Sequence, residues 1–378
     1  MYGVTVLGIL KLGFIVNPIA GMGGKVGLKG TDGEAYLLAL KKGAKPVSPK
    51  RALEFLNALE LTDVRIFSAP GVMGADIVAK SKHHDKLAKI VGTIKGDRTT
   101  AEDTKRIAKE LAKIGVDILV FVGGDGTARD IMDAIDMKLP VLGVPSGVKV
   151  YSSVFAVNPI AAARVVEAFA RGEAILVEEE VLDIDEEAFR RDELKIKFYG
   201  YLKVPVVSGL IQASKEPSPG ILDEEENKRA IAKTVIEDME PDTLYILGPG
   251  STVKAIADLL GVEKTLLGVD AVYNGKLVGK DLDEKGILEL LNKYPKAKII
   301  VTPIGGQGFI FGRGNQQISP EVIKRVGKQN IIVIATKRKL SKLKVLRVDT
   351  GDAKVDEMLK GYIKVVVDYN EYVMMKVI

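Results

Sequence analysis

The sequence predicts an α/β N-terminal domain built on a parallel sheet, followed by a β-rich α+β C-terminal domain. Three observations predict it. Over the first 150 residues, short apolar runs alternate with amphipathic helical patterns, the rhythm of a parallel sheet covered on both faces. Glycine-rich turns follow four of the apolar runs, at the strand ends where α/β proteins place ligands. From about residue 151 the texture changes to longer, charged, alternating segments, which read as antiparallel.

The elements follow in order. Apolar runs at Leu12–Val16, Val64–Phe67, Ile118–Val122 and Val141–Val144 are expected strands of the first domain, residues 1–150. The first nine residues read as an added strand or an extension. The clearest helix is Ala101–Ile114. Thr99 and Thr100 precede it, with Glu102 and Asp103 three residues on from each, the spacing of a capping box. Ile107, Leu111 and Ile114 then repeat at helical spacing. The second domain, residues 151–378, opens with the charged stretch Asp183–Val207, which ends in LKIKFYGYLKVPVV. A Pro- and acid-rich connection, residues 215–228, comes next. An inserted α/β block at about 240–315 carries the strand LYIL, a helix over Ser251–Leu260 and a strand running into glycines after Lys298. The tail holds the strand-like runs IIVIAT, KVLRV, YIKVVVD and YVMMKVI, with a short helix around Val355–Leu359.

Composition narrows the chemistry. There are 378 residues, with 55 Lys+Arg against 50 Asp+Glu and a net charge of +5; that excess suits a nucleotide or another small anion and does not demand a nucleic acid. Cysteine is absent, which removes disulfides, thiolate metal sites and Cys nucleophiles. The two histidines, His83 and His84, stand side by side in a charged stretch from Lys80 to Lys89 that reads as a solvated helix face. A Ser-His-Asp triad or a His-rich metal centre is therefore not expected. Few Gln, no Cys or Trp and abundant Lys and Glu fit a thermophile's protein. No apolar stretch reaches about eighteen residues, so no membrane span is expected and the cytoplasm is the default location. By base rate the chain is a homodimer or a higher homo-oligomer.

Four glycine loops carry the functional signal. The first, NPIAGMGGKVGLKGTDG, follows an apolar strand and holds six glycines in thirteen positions between Gly21 and Gly33. Glycine lets backbone N–H groups approach an anion without a Cβ in the way, and Lys25 adds charge. The loop is not a dinucleotide-binding fingerprint, because Gly21, Gly23 and Gly27 space as GxGxxxG. Nor is it a Walker A loop, because Val26 follows Lys25 where Ser or Thr would hold magnesium. The second loop, Gly123-Gly124-Asp125-Gly126-Thr127, follows the most hydrophobic strand and opens a helix. Its glycines clear space, the helix N-terminus favours phosphate, and Asp125 sits where a carboxylate can act. The plain alternative for Asp125 is a helix cap. The third loop holds Ser146, Gly147 and Lys149, with Ser152, Ser153 and Phe155 after it; an ordinary strand-to-helix turn is the alternative. The fourth, Gly248, Gly250, Ser251 and Thr252, offers amides and hydroxyls for a phosphate. Further on, PIGGQGFIFGRGNQQ brings Arg313, suited to bidentate anion recognition, and Asn315.

NPIAGMGG paired with a strand-GGDGT unit resembles the NAD kinase and diacylglycerol kinase superfamily. LKGTDG, TTAEDT, GGDGTARDI and PSGVKVYSSVFA together resemble its ATP-NAD kinase-like subgroup of the acetoin-catabolism protein X type. The likeness is strong over roughly the first 170 residues and looser beyond. It implies an NAD kinase-like architecture, ATP or polyphosphate with Mg2+ as donor, and an acceptor hydroxyl that NAD is one candidate to provide. By carry-over, Asp125 orients or deprotonates that hydroxyl. Gly123, Gly124, Gly126 and Thr127 line the phosphates, and Asn17, Gly21, Gly23 and Gly24 frame the loop above. Lys25, Thr99, Thr100, Ser146, Gly147 and Lys149 complete the expected nucleotide site. Gly248, Gly250, Ser251, Thr252, Arg313 and Asn315 are a second phosphate or acceptor site.

The departures bear on the acceptor. PSGVKVYSSVF stands where NAD kinases carry an NxGxLGF-like segment, and the later Asn-Glu or Asn-Asp pair has no convincing counterpart. The expected activity is a small-molecule kinase acting on a nucleotide or sugar hydroxyl. The alternative is a non-catalytic nucleotide- or phosphosugar-binding regulator. Nucleic-acid binding has little support, since the densest basic run, KRKLSKLK from Lys337 to Lys344, reads as a solvated edge between strands.

Overall fold

The computed structural model describes residues 8–24, 26–27, 34–94, 98–146, 150–184, 196–207, 211, 221–304 and 308–378. The chain forms two compact units. Described residues of the first fall in 8–22, 45–184 and 196–211, and those of the second in 23–44 and 221–378. The boundary expected at residue 150 therefore lies inside the first unit.

In chain order the elements begin β1 (Leu10–Val16), α1 (Glu34–Lys41), α2 (Ser48–Ala58), β2 (Val64–Ser68), α3 (Ala75–Val78), β3 (Leu87–Ile90), α4 (Ala101–Ile114), β4 (Ile118–Gly123), α5 (Asp125–Ile135), β5 (Val141–Pro145), α6 (Pro159–Ala170), β6 (Ile175–Ile184) and β7 (Ile196–Val206). All but α1 belong to the first unit. Its sheet has the order β3-β2-β1-β4-β5, and every pairing is parallel. β4 lies inside the sheet with all six residues buried, which is why it reads as an unbroken apolar run. The α4 N-terminus is fixed by a capping box: Thr100 Oγ1 accepts from the Asp103 amide while the Asp103 carboxylate accepts from the Thr100 amide. Gly115 in the left-handed region ends the helix. β6 and β7 pair antiparallel, the pairing expected of the charged stretch Asp183–Val207, but they belong to the first unit and not to the second domain.

Two readings of this unit are corrected. The charged stretch after Lys80 is not a helix face. It makes a single 3-10 turn at His84–Lys86 and then β3, an edge strand with no buried residue. His83 is buried, its Nε2 lying 2.8 Å from the Leu59 carbonyl, whereas His84 is exposed. Residues 150–156, expected to open the second domain, complete the first. The Gly143 amide donates to the Val154 carbonyl and the Ala156 amide to the Gly143 carbonyl, so the segment lies along β5. Gly143 also makes room for Phe155: a Cβ there would stand 2.5 Å from the Phe155 ring, which packs edge-on to Phe121 at 5.3 Å.

The second unit continues with α7 (Ile221–Glu237), β8 (Leu244–Leu247), α8 (Ser251–Leu260), β9 (Asp270–Tyr273), β10 (Lys276–Gly279), α9 (Glu284–Lys293), β11 (Ala297–Val301), β12 (Phe309–Phe311), α10 (Pro320–Val326), β13 (Ile331–Ile334), α11 (Lys337–Ser341), β14 (Arg347–Val348), α12 (Ala353–Leu359), β15 (Gly361–Asp368) and β16 (Glu371–Val377). This β-rich unit is organised by a seven-stranded sheet, β10-β9-β8-β11-β13-β15-β16. β8, β11, β13 and β15 run parallel; β9, β10 and β16 pair antiparallel with their neighbours. The block at 240–315 is thus one half of a sheet that the tail strands complete. Ile231, Val235, Val253 and Ile256 cover one side of the sheet in one buried cluster; Ile287, Leu291, Val322, Val355 and Leu359 belong to another.

Two more expectations change here. Residues 221–228 of the acid-rich connection are the start of α7, since Ile231 and Val235 give that helix a buried face. The first five residues of KRKLSKLK form the short helix α11, Lys337–Ser341, capped by Thr336, in place of a sheet edge. Behind α8, Lys264 and Asp270 form a fully buried ion pair at 3.1 Å. Thr265 Oγ1 and the Asp281 amide also donate to Asp270, the additional bonding a buried pair requires. Among the described residues no helix is long and apolar enough to cross a membrane.

Candidate functional site

The site is set by topology. β1 and β4 are neighbours, yet α2 packs against β1 and β4 while α4 packs against α5. Where connections leave adjacent parallel strands for different layers, a crevice opens at their C-terminal ends. Asn17 stands at the end of β1 and Gly123–Thr127 at the end of β4. The Asn17 amide donates to the Val122 carbonyl at 2.9 Å, and its side-chain Nδ2 donates to Thr127 Oγ1 at 3.0 Å. The first and second glycine loops are thereby joined at their bases.

Two glycines are demanded by close approach. A Cβ on Gly123 would lie 2.4 Å from Thr127 Oγ1, and one on Gly21 would lie 2.3 Å from the Ser146 carbonyl. Gly21 also holds a φ of +81°, which a side chain disfavours. The Ser146 amide donates to the Gly123 carbonyl at 3.0 Å. Ser146 Oγ is buried and has no hydrogen-bond partner among the described residues. The first three loops thus meet at Asn17, Gly21, Gly123–Thr127 and Ser146.

Asp125 is the first residue of α5, after the N-cap Gly124, and no side chain caps this helix. Its carboxylate turns to the 150–153 segment: Oδ2 accepts from the Tyr151 amide at 2.7 Å and Oδ1 from the Ser152 amide at 2.9 Å. Asp125 is therefore not the helix cap that was its plain alternative. Burial pushes its pKa up to about 7, opposed by the hydrogen bonds from Ser152 and Tyr151 and assisted by the negative charge of Asp183. A carboxylate offers about four acceptor positions, so some remain beyond these bonds. The group can thus bind a proton and release it near neutral pH. Uncapped amides at the α5 N-terminus favour an anion beside it.

The remaining expected residues divide. Thr100 is engaged in the α4 capping box, and Thr99 stands just outside it. Gly23 and Gly24 belong to the second unit, where a Cβ on Gly24 would lie 3.2 Å from the Gln316 side chain. Gly126 faces open space next to Arg129. Lys25, Gly147 and Lys149 lie outside the described residues. In the second unit Gly248 and Gly250 turn the chain from β8 into α8, which begins at an exposed Ser251 and a buried Thr252. Gly250 holds a φ of +115°, and its amide donates to the Leu266 carbonyl. Arg313 is buried against Asp349 at 2.8 Å and over the Phe309 ring. Asn315 bonds Gly312 and Ile310 of its own loop. Both were expected at an acceptor site; Asn315 bonds within its own loop, and Arg313 ties the loop to Asp349.

Tyr151 was not singled out from the sequence, and Ser152 only by position. Both act on Asp125 through backbone amides, which leave no side-chain signature. Arg129 lies one helical turn beyond Asp125, a spacing that the sequence shows.

The ATP-NAD kinase N-terminal domain matches residues 12–174, and the ATP-NAD kinase C-terminal domain matches residues 241–377. The chain belongs to the ATP-NAD kinase family. It is accordingly a kinase, a phosphotransferase with an alcohol group as acceptor. No curated protein and no solved structure matches the chain. Within the N-terminal match lie Asn17, Gly21, the Gly123–Thr127 loop, Ser146 and both amides that hold Asp125.

Proposed function

We propose that this kinase transfers a phosphoryl group from ATP or polyphosphate to a hydroxyl of NAD or of a related nucleotide or sugar, with Asp125 as general base. The observation that carries the reading is the placement of Asp125: buried, held by two amides of a neighbouring segment, and poised to exchange a proton near pH 7. The hydroxyl proton passes to the carboxylate. The acceptor oxygen bonds the terminal phosphorus, and the bond to the bridging oxygen breaks, leaving ADP or a shortened polyphosphate. The α5 N-terminus and the glycine-loop amides hold the phosphates while charge moves between the oxygens.

Among the described residues no cluster of three or more His, Asp or Glu forms a metal nest. Magnesium would be carried on the donor phosphates and would offset their charge.

The test is NADP formation by the purified protein with ATP, magnesium and NAD, with Asp125→Asn alongside. Wild type alone should produce NADP, and the variant should lose turnover by about a hundredfold or more. Because the base must be ionised, kcat/KM should rise with pH through about 7. Undiminished turnover in Asp125→Asn removes Asp125 from the chemistry. Nucleotide binding without transfer to any acceptor in a broad panel favours the regulator.

A further inference from the structure

A closed circuit of contacts surrounds Asp125. The Ser152 amide donates to Asp125 Oδ1. Ser152 Oγ in turn donates to the Leu182 carbonyl at 2.7 Å and accepts from the Leu182 amide at 3.0 Å, clamping the segment to β6. The next residue of β6, Asp183, accepts from Arg129 Nη1 at 3.0 Å. Arg129 lies one turn along α5 from Asp125, so the path returns to the helix where it began. The pair is partly withdrawn from water, with 34% of the Arg129 side chain and 13% of the Asp183 side chain exposed. Such a pair is screened less than one in open solvent.

We propose that Arg129 and Asp183 are positioning residues for phosphoryl transfer: their ion pair ties α5 to β6, holds the Ser152 amide against Asp125, and lessens the negative charge that Asp183 turns on that carboxylate. The inference rests on Asp125 being the base. Its electrostatic content follows from the groups around it. Among the described residues, Asp183 of β6 acts through its charge on Asp125, and Asp125 on the Tyr151 hydroxyl of the 150–153 segment. On α5 itself, Asp130 acts with Asp183 on Arg129. Lys105 of α4 pairs with Asp133 and Asp130. From β7, the Tyr199 ring lies 5.5 Å from the Arg129 guanidinium and 5.1 Å from the Lys197 ammonium. Asp183 disfavours ionisation of Asp125; the cations next to Asp183 are Arg129, bonded to it, and Lys197, opposite it across the β6–β7 pairing, and each works against that effect.

The sign of each substitution follows. Arg129→Met removes a cation bound to Asp183 and raises the proton affinity of Asp125. Asp183→Asn removes the anion, leaves the cation, and lowers it. The double variant returns towards wild type, and Arg129→Lys, which keeps the charge, stays near it. The measurement is the titration of the Asp125 carboxyl carbon in the full-length protein labelled with 13C-aspartate, assigned by its loss in Asp125→Asn. It requires no knowledge of the acceptor. Single-variant shifts of about half a pH unit or more in opposite directions are expected, and the acid limb of kcat/KM should follow them. Thermal melts show whether each variant is folded; if Arg129→Met is not, Asp183→Asn set against Arg129→Lys decides. Shifts of the same sign, or none, overturn the inference. A carboxyl that titrates as expected while Asp125→Asn keeps full turnover overturns the base assignment instead.

Discussion

Asp125 sets function against stability. Its ordinary pKa is 3.8 and its folded value about 7. Between those limits the folded protein holds a proton that the unfolded chain has released. Stability therefore falls as pH rises from about 4 to about 7, with a ceiling on the order of 4 kcal/mol. Asp125→Asn carries no such titration, although it weakens one of the two amide bonds. Denaturant unfolding of both proteins at pH 5 and pH 8 checks this: the stability difference should move in favour of the variant at the higher pH. A constant difference would show that the carboxyl is not perturbed. At this scale, Asp125 and its glycines are legible in sequence because a carboxylate between glycines after a core strand is a side-chain pattern. The Tyr151 and Ser152 amides are not, and neither is the burial of His83, which depends on a carbonyl of another element.

Among the elements, the 150–156 segment matters most, because it delivers both amides to Asp125. Its seat depends on the missing side chain of Gly143. Gly143→Ala places a methyl 2.5 Å from the Phe155 ring and 2.9 Å from the Phe121 ring. Overpacking of this kind costs about 1–3 kcal/mol, and displacement of Phe155 carries Tyr151 and Ser152 with it. Turnover should therefore fall with the melting temperature, although residue 143 lies outside every phosphate loop. Full turnover in a destabilised variant would show that the segment keeps its place without Phe155. Elements with strong end signals were readable to the residue: α4 by its capping box and α8 by its flanking glycines. β3 was hidden because a short edge strand with no buried residue lacks an apolar pattern. The start of α7 was hidden because prolines and glutamates mask a helix whose buried face comes later.

At the scale of the whole molecule, the order of an α/β half and a β-rich half was readable from texture, and their membership was not. A fragment ending at residue 150 lacks the Asp125 donors, Phe155, α6 and the β6–β7 hairpin. It should fail to unfold cooperatively in urea, whereas residues 1–214 should do so, as circular dichroism can determine. Two similar transitions would place these elements outside the folding unit of the first sheet. Residues 23–44 show why membership escaped the sequence: a helix of eight residues sits early in the chain and belongs to the late unit.

That early segment has a consequence for the protein's birth. The chain emerges from the ribosome N-terminus first, at about 5–20 residues per second. Residues 23–44 thus leave the tunnel some tens of seconds before β15 and β16 complete the sheet of their own unit. The first unit has all its strands long before then. Each nascent chain therefore carries α1 through most of its synthesis before the rest of its own unit exists.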